Sequence, residues 1–454
     1  MKPWKYDDIH KHFYRTMLAI ALPIIIQHLI SIGLNMVDTV MIGRLGENEL
    51  AAVGIANRIY FMFAIFCFGF YSGASVFVSQ YWGIRDIKNI RKIFGIEITG
   101  GLVISLVFTI LLQLLPYQIM GIFIKDPVVI GLGVDYLRIV SLIFVFTSMS
   151  FAISFNSRSI RMIKVPTIIN VLAIALNTFL NYILIYGNFG VPAFGIKGAA
   201  LATLIARLLE FLLMSAYIYM DRSHPLAGTL TEFFSWEKSM LKKVFKTSFP
   251  VFINEILWVT GTSVYYIAYG LLGAEAVAVV QVSFTIADFF QSLFFGIGGA
   301  CAVMIGNELG RNEIKNAYEY ALRFIKITFV FSILVSIMMY LIRDPIISFY
   351  DFKESTNLML NRSLIVSAIF LAPKMQSYMI IVGILRSGGD TRFCMVVDSI
   401  FVWLIGIPLA FISVLVFKWP IYLVLVAVFT EEALKFAVIY SRVLSKKWLN
   451  NLIS

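Results

Sequence analysis

The chain has 454 residues, of which 60% are hydrophobic and 40 are Phe, and its mean hydropathy is +0.87. Charged residues make up 14%, where a soluble domain carries about 25%. These figures exclude a disordered chain, a nucleic-acid-binding domain and an ordinary soluble enzyme, and the pI near 9.4 comes from short basic clusters between long apolar runs, the pattern of a polytopic membrane protein.

Residues 1–15 carry Lys2, Lys5, Asp7, Asp8, Lys11 and Arg15 with no cleavable apolar segment ahead of them, so no signal peptide is expected. A helix needs about 20 mostly apolar residues to cross the hydrocarbon. Breaks at charge clusters, Gly and Pro then predict twelve spans, at 16–42, 51–82, 93–115, 128–153, 166–187, 196–220, 247–271, 276–309, 324–342, 360–384, 393–417 and 420–441. Pro23, Pro250, Pro373 and Pro408 fall inside spans and are candidate kinks. Cys67, Cys301 and Cys394 stand far apart in apolar stretches, a spacing that suits neither a disulfide framework nor a zinc site.

The basic residues alternate with the spans. The termini and the loops 83–92, 154–165, 221–246, 310–323 and 385–392 hold 24 Lys and Arg, while the loops on the opposite side hold six. That bias places both termini and residues 221–246 in the cytoplasm, and an even number of spans requires the termini to share a side.

The chain also repeats itself. At an offset of 227, Leu45-Gly46 falls on Leu272-Gly273, Phe68-Gly69 on Phe295-Gly296, Gly83 on Gly310 and Ile87-Lys88-Asn89 on Ile314-Lys315-Asn316. At 228, Arg158-Ser159 falls on Arg386-Ser387. The prediction is an all-α protein of twelve helices in two six-helix lobes, residues 1–220 and 247–454, joined by a cytoplasmic linker at 221–246. Six spans per lobe give both the same orientation, hence a pseudo-two-fold along the membrane normal, an organisation that transporters use.

Asp38-Thr39-Val40-Met41-Ile42-Gly43-Arg44-Leu45-Gly46, followed by Ala51-Ala52-Val53-Gly54, resembles the first-helix motif of the multidrug and toxic compound extrusion (MATE) family. Gly195-Ile196-Lys197-Gly198-Ala199-Ala200-Leu201-Ala202-Thr203 is similar to its sixth-helix signature, and Arg386-Ser387-Gly388-Gly389-Asp390-Thr391 to its tenth-to-eleventh loop. The resemblance runs over nearly the whole chain, nearest to the bacterial NorM-like branch. It implies two V-shaped lobes and export of organic cations and other amphiphiles in exchange for Na⁺ or H⁺, with no cofactor, by a monomer in the cell membrane.

Carboxylates inside a bilayer are functional candidates by default. Glu255 lies about nine residues into the seventh span, roughly 13 Å deep at 1.5 Å per residue. Burial disfavours the charged form of a carboxylate, which suits such a group to exchange a proton or coordinate a cation. Asn254 and Trp258 offer it a polar and an aromatic neighbour, and the repeat places His28 at the matching position of the first span. Asp288, entering from the other side, reaches a similar depth and can share a cavity with Glu255. Asp398, about five residues into its span, is within reach of water or Arg392.

Asp38 is the fourth such carboxylate, and the resemblance implies that it joins an N-lobe cation site with Asn156, Asn177, Asn181 and Thr203. Asn177 and Asn181 share one helix face, and carboxylate, amide and hydroxyl oxygens suit a hard cation such as Na⁺. Two positions depart from the family. Many relatives have Asp where this chain has Asn181, and the NorM-like acid of the tenth helix is replaced by Lys374 and Met375. Lys374 is then a candidate partner for Glu255 or Asp288.

Two other functions compete with drug export. A flippase or exporter of a lipid-linked or other amphiphilic metabolite would call for basic residues lining the cavity and for extra helices, and the spans hold few of the former. A membrane enzyme would need a nucleophile with its base or a ligand cluster, whereas His10, His12, His28 and His224 are scattered. No Walker-type loop is present to bind ATP.

Overall fold

The computed structural model describes residues 6–348, 350 and 352–454, with side chains from residue 12 onward. Lys2 and Lys5, and the side chains of Asp7, Asp8, His10 and Lys11, lie outside the described residues. Every regular element among those described is a helix, as expected where the backbone must satisfy its own hydrogen bonds away from water. Among the described residues nine helices are long and apolar enough to cross a membrane, and a bent pair makes ten. Lys238–Gly270 and Ile421–Leu444 complete the twelve; they are long enough but carry polar or charged residues at mid-length.

The helices gather into two compact units. The first unit is Ile26–Ser248. The second is Phe249–Ser454 together with the described residues up to Ile25, so the opening helix α1 (Tyr6–Gly43) is divided between them. Phe13 shows why the early turns of α1 belong to the second unit: it is fully buried, with ring centroids 5.0 Å from Tyr320 and 5.1 Å from Phe324.

In the first unit α2 (Glu47–Gly83) and α3 (Ile87–Leu114) follow, the latter capped by Asp86, whose carboxylate accepts from the Asn89 amide at 3.1 Å. A short α4 (Pro116–Phe123) leads to α5 (Pro127–Val140), capped by Asp126 with Pro at its first position, and α6 (Ile143–Ser159). The sequence predicts a single span here; the structure bends it by 50° between α5 and α6. The carbonyls freed at the bend are taken up by α3. Gln113 donates to Arg138 O at 2.7 Å and Thr109 to Ser141 O at 2.8 Å. Then come α7 (Lys164–Tyr186), ended by Gly187 at φ +75°, and α8 (Gly195–Met220). Of the linker, α9 (Leu230–Phe233) is started by a capping box between Thr229 and Glu232, and Arg91 of α3 holds Glu232 at 2.8 Å. The next helix, α10 (Lys238–Gly270), runs on into the second unit.

The second unit continues with α11 (Ala274–Gly310), α12 (Ile314–Leu341), the short α13 (Arg343–Ile347), α14 (Glu354–Tyr378), α15 (Thr391–Ile400), α16 (Ile407–Leu415) and α17 (Ile421–Leu444). The repeat is visible in these elements. Helices α2 and α11 both have 37 residues, and α3 and α12 both have 28. Gly46 and Gly273 precede α2 and α11 at φ +152° and +100°, and Arg85 and Asn312 sit at φ 62° and 63° before α3 and α12. Wider π turns occupy Met379–Leu385 and Phe401–Gly406. The second precedes Pro408, which has no N–H to continue an α-helical ladder.

Candidate functional site

The polar side chains of the first unit fall into separate groups, and Asp38 anchors one of them. Thr178 Oγ1 donates to Asp38 Oδ1 at 3.0 Å. The Asn177 amide lies between Asp38 Oδ2, 2.8 Å away, and Thr203, 3.1 Å from its backbone N and 3.2 Å from its hydroxyl. The orientation that satisfies both has Asn177 donating to the carboxylate and accepting from Thr203. Asn181 approaches the same carboxylate, and its buried Oδ1 has no partner. Tyr136 of α5 stands beside Thr203. Four of the residues expected to meet, Asp38, Asn177, Asn181 and Thr203, are therefore together, with Thr178 and Tyr136 added. Asn177, Thr178 and Asn181 come from one stretch of α7, one turn apart, which aims all three at α1.

Asn156 does not extend this group. Its amide nitrogen donates to Glu97 Oε2 on α3 and to Ala152 O at 2.7 Å, so it serves a second, fully buried carboxylate that the sequence reading passed over. A third carboxylate, Glu210, is paired with Arg207 at 2.6 Å and accepts from Asn170 at 2.8 Å, while Asn170 accepts from Gln27 at 2.8 Å. His28 lies near Arg158.

In the second unit, every carboxylate beside α10 faces a base. Glu255 is buried and accepts from Arg386 Nη2 at 2.8 Å, so its partner is Arg386 of the third family-like motif rather than Lys374. Asn254 donates to Asp398 Oδ2 at 3.1 Å, and Asp398 Oδ1 accepts from Lys435 Nζ at 2.8 Å. Asp398 is thus enclosed, with Lys435 in place of water or Arg392. Lys435, itself 2% exposed, also reaches Glu432 at 3.0 Å and Glu431 at 3.3 Å. Tyr265 donates to Glu431 Oε2 at 2.6 Å. Within the same motif, Asp390 holds Arg442 at 2.7 Å, and Gly388 leaves room for the backbone of the buried Trp448.

Asp288 is exposed on its unit and does not share the surroundings of Glu255. Its neighbours are Gln291, at 3.5 Å, and Lys374. Lys374, Gln291 and Glu432 line a cavity of about 10 Å³, room for about one water. Trp258 is exposed and makes none of these polar contacts. Glu97, Glu210, Glu431 and Lys435, which sequence reasoning missed, and Arg386, which it named only as part of a motif, are ionisable groups in or beside apolar runs. Applying the bilayer-cost argument to every charge in the spans would have found them.

A family model, MatE, matches the chain twice, at residues 23–183 and 250–412. The two matches begin 227 residues apart, the offset of the internal repeat. An uncharacterized transporter, YisQ of Bacillus subtilis, is 22% identical over 96% of this chain and 95% of its own length. The multidrug resistance protein MdtK of Photorhabdus laumondii is 24% identical over 88% and 87%. The fold matches the crystal structure of a MATE in the bent conformation with a TM-score of 0.87 at 18% identity, over 96% of both chains. It also matches an outward-facing multidrug resistance MATE family transporter with a TM-score of 0.86 at 19% identity, over 95% of this chain and 96% of the other.

Proposed function

Because the chain belongs to the MatE family, whose pattern it carries twice, we propose that it is a cation-coupled antiporter. It takes up Na⁺ or H⁺ and exports amphiphilic or cationic drugs and toxic compounds by alternating access. The observation that carries this reading is Asp38, a carboxylate held by neutral oxygen- and nitrogen-bearing side chains with no base in its hydrogen-bonded group. Asn181 Oδ1, buried and without a partner, adds an oxygen to the set. Carboxylate, amide and hydroxyl oxygens suit a hard monovalent cation, and the same carboxylate accepts a proton. Arrival of either ion removes a negative charge from the unit, which supplies a difference in free energy between loaded and unloaded states.

Relatives named as multidrug resistance proteins support the substrate class. In this reading the chain acts as a monomer, with reversible ion binding at Asp38, while Glu255, locked to Arg386, holds helices together. The excess of Lys and Arg on one side supports cytoplasmic termini and linker. Rapid labelling of Lys238→Cys from outside intact cells would overturn that orientation. The function is tested by dye efflux from proteoliposomes under Na⁺ and H⁺ gradients imposed separately. Efflux driven by one of them is expected; efflux at the same rate with neither overturns antiport.

A further inference from the structure

We propose that Glu97 and Asn156 form an exchangeable proton site in the first unit, separate from the Asp38 group, in which Glu97 carries a hydrogen on Oε1 and Asn156 Oδ1 accepts it. Both side chains are 0% exposed. The two hydrogens of Asn156 Nδ2 go to Glu97 Oε2 and to Ala152 O. What remains is Glu97 Oε1 and Asn156 Oδ1, each buried with no partner. Both are acceptors, so nothing in the pair as an amide and a carboxylate can satisfy them. One proton does: placed on Oε1, it turns that atom into a donor and gives the amide oxygen its bond. Leaving a buried polar atom unpaired costs about 1–3 kcal/mol, and an unpaired buried charge costs more.

Among the described residues the base on α6 is Arg158, two residues beyond Asn156, which lies over the Phe155 ring and near His28. From α2, Glu97 is faced by Tyr71, whose hydroxyl bonds Ser148 of α6 at 2.7 Å, with Cys67 one turn away. From α9 the contact with α3 nearest Glu97 is Phe233 against Phe94, while α4 and α5 meet α3 nearer its far end, around Gln113. On α3 itself the nearest base towards its start is Lys92, exposed to intermediate degree, and Arg91 is engaged by Glu232. Among the described residues no ion pair reaches Glu97.

The repeat supplies an internal control. Offsets of 227 and 228 place Phe324 at the position of Glu97 and Ile384 at that of Asn156, and both are 0% exposed. The second half closes these positions with apolar side chains, so the fold does not require an acid there. A proton site in this place would deepen the antiport reading by adding a second ion-binding carboxylate to the first unit, and it rests on that reading only for its use in transport.

Glu97→Gln tests the site, because its amide N–H replaces the O–H and keeps both hydrogen bonds, so the variant is expected to fold. Infrared difference spectra of the purified full-length protein, wild type minus Glu97→Gln, are recorded across a pH titration. The expected result is loss of one carboxylic-acid carbonyl band in the variant, and conversion of that band to carboxylate in the wild type as pH is raised. Two results overturn the proposal: a carboxylate band at neutral pH, or an acid band that persists at every pH at which the protein stays folded. Because the readout is proton binding rather than efflux, failure of antiport in proteoliposomes leaves this result interpretable. Should Glu97→Gln not fold, Asn156→Asp is measured in the same way, and the proposal then requires the wild-type acid band to move in frequency.

Discussion

In the first unit Asp38 is held by the neutral side chains of Thr178, Asn177 and Asn181, and Glu97 by one amide. In the second unit Glu255, Asp398, Glu431 and Glu432 share two buried bases, Arg386 and Lys435. The two arrangements have different consequences. A carboxylate with neutral partners can gain or lose a proton or an ion with little rearrangement of its neighbours. A carboxylate locked to a buried base leaves that base uncompensated when it changes state, at a cost of about 3–5 kcal/mol. Binding that must reverse in each cycle fits the first arrangement, and holding helices in register fits the second. Glu210, paired with Arg207 in the first unit, shows that the distinction belongs to particular sites and does not follow the unit boundary everywhere.

The largest expected effect is at Lys435. Lys435→Met removes the base common to Asp398, Glu431 and Glu432, so a destabilisation of about 3–5 kcal/mol is expected, read as a drop in the midpoint of thermal unfolding in detergent. A shift of less than a few degrees would mean that these carboxylates are compensated elsewhere. Glu255→Gln comes next. It leaves Arg386 without its ion-pair partner, and combining it with Arg386→Gln is expected to restore part of the loss; strictly additive losses would show that the pair is not coupled. Asp38→Asn should change stability by less than about 1 kcal/mol, since an amide keeps the shape. Its effect is expected in function, as loss of the ion dependence of efflux, and an unchanged dependence would leave Asp38 a structural residue. The smallest effect is at Glu232 on the linker. The Thr229 backbone amide and the Arg91 guanidinium hold its carboxyl below the usual glutamate range. Its contribution is therefore present above the ordinary glutamate value and lost as pH falls through the depressed one. Glu232→Gln should flatten the acid limb of the stability profile slightly, and an effect persisting at neutral pH in high salt would argue for packing over charge.

Much of this architecture is legible in the chain, because span length, basic clusters and the 227-residue repeat are properties of local sequence. The meeting of Asp38, Asn177, Asn181 and Thr203 follows from the family-like motifs. The pairing of Asn156 with Glu97 does not, since it depends on how α3 packs against α6. Glu97 is passed over by the sequence reading, and its depth differs from what the predicted span implies. The predicted span starts at residue 93, but the Asp86 cap starts α3 at Ile87, which sets Glu97 about a turn and a half further from the helix end. The 50° bend after Val140 had no Pro or Gly to announce it, and it is made tolerable by Gln113 and Thr109, residues distant in sequence.

The division of α1 has a consequence for biosynthesis. Phe13, Met17, Ile20, Ala21 and Ile24 are buried within a unit whose other residues begin at Phe249. Tyr320 and Phe324, against which Phe13 packs, are made some three hundred residues later, a delay on the order of tens of seconds at ribosomal speed. During that interval the native partners of this apolar surface in the second unit do not yet exist. Lipid is as apolar as the missing side chains, so the early turns of α1 can wait in the bilayer without the penalty they would meet in water. The second unit thus packs its oldest segment against residues made some three hundred positions later.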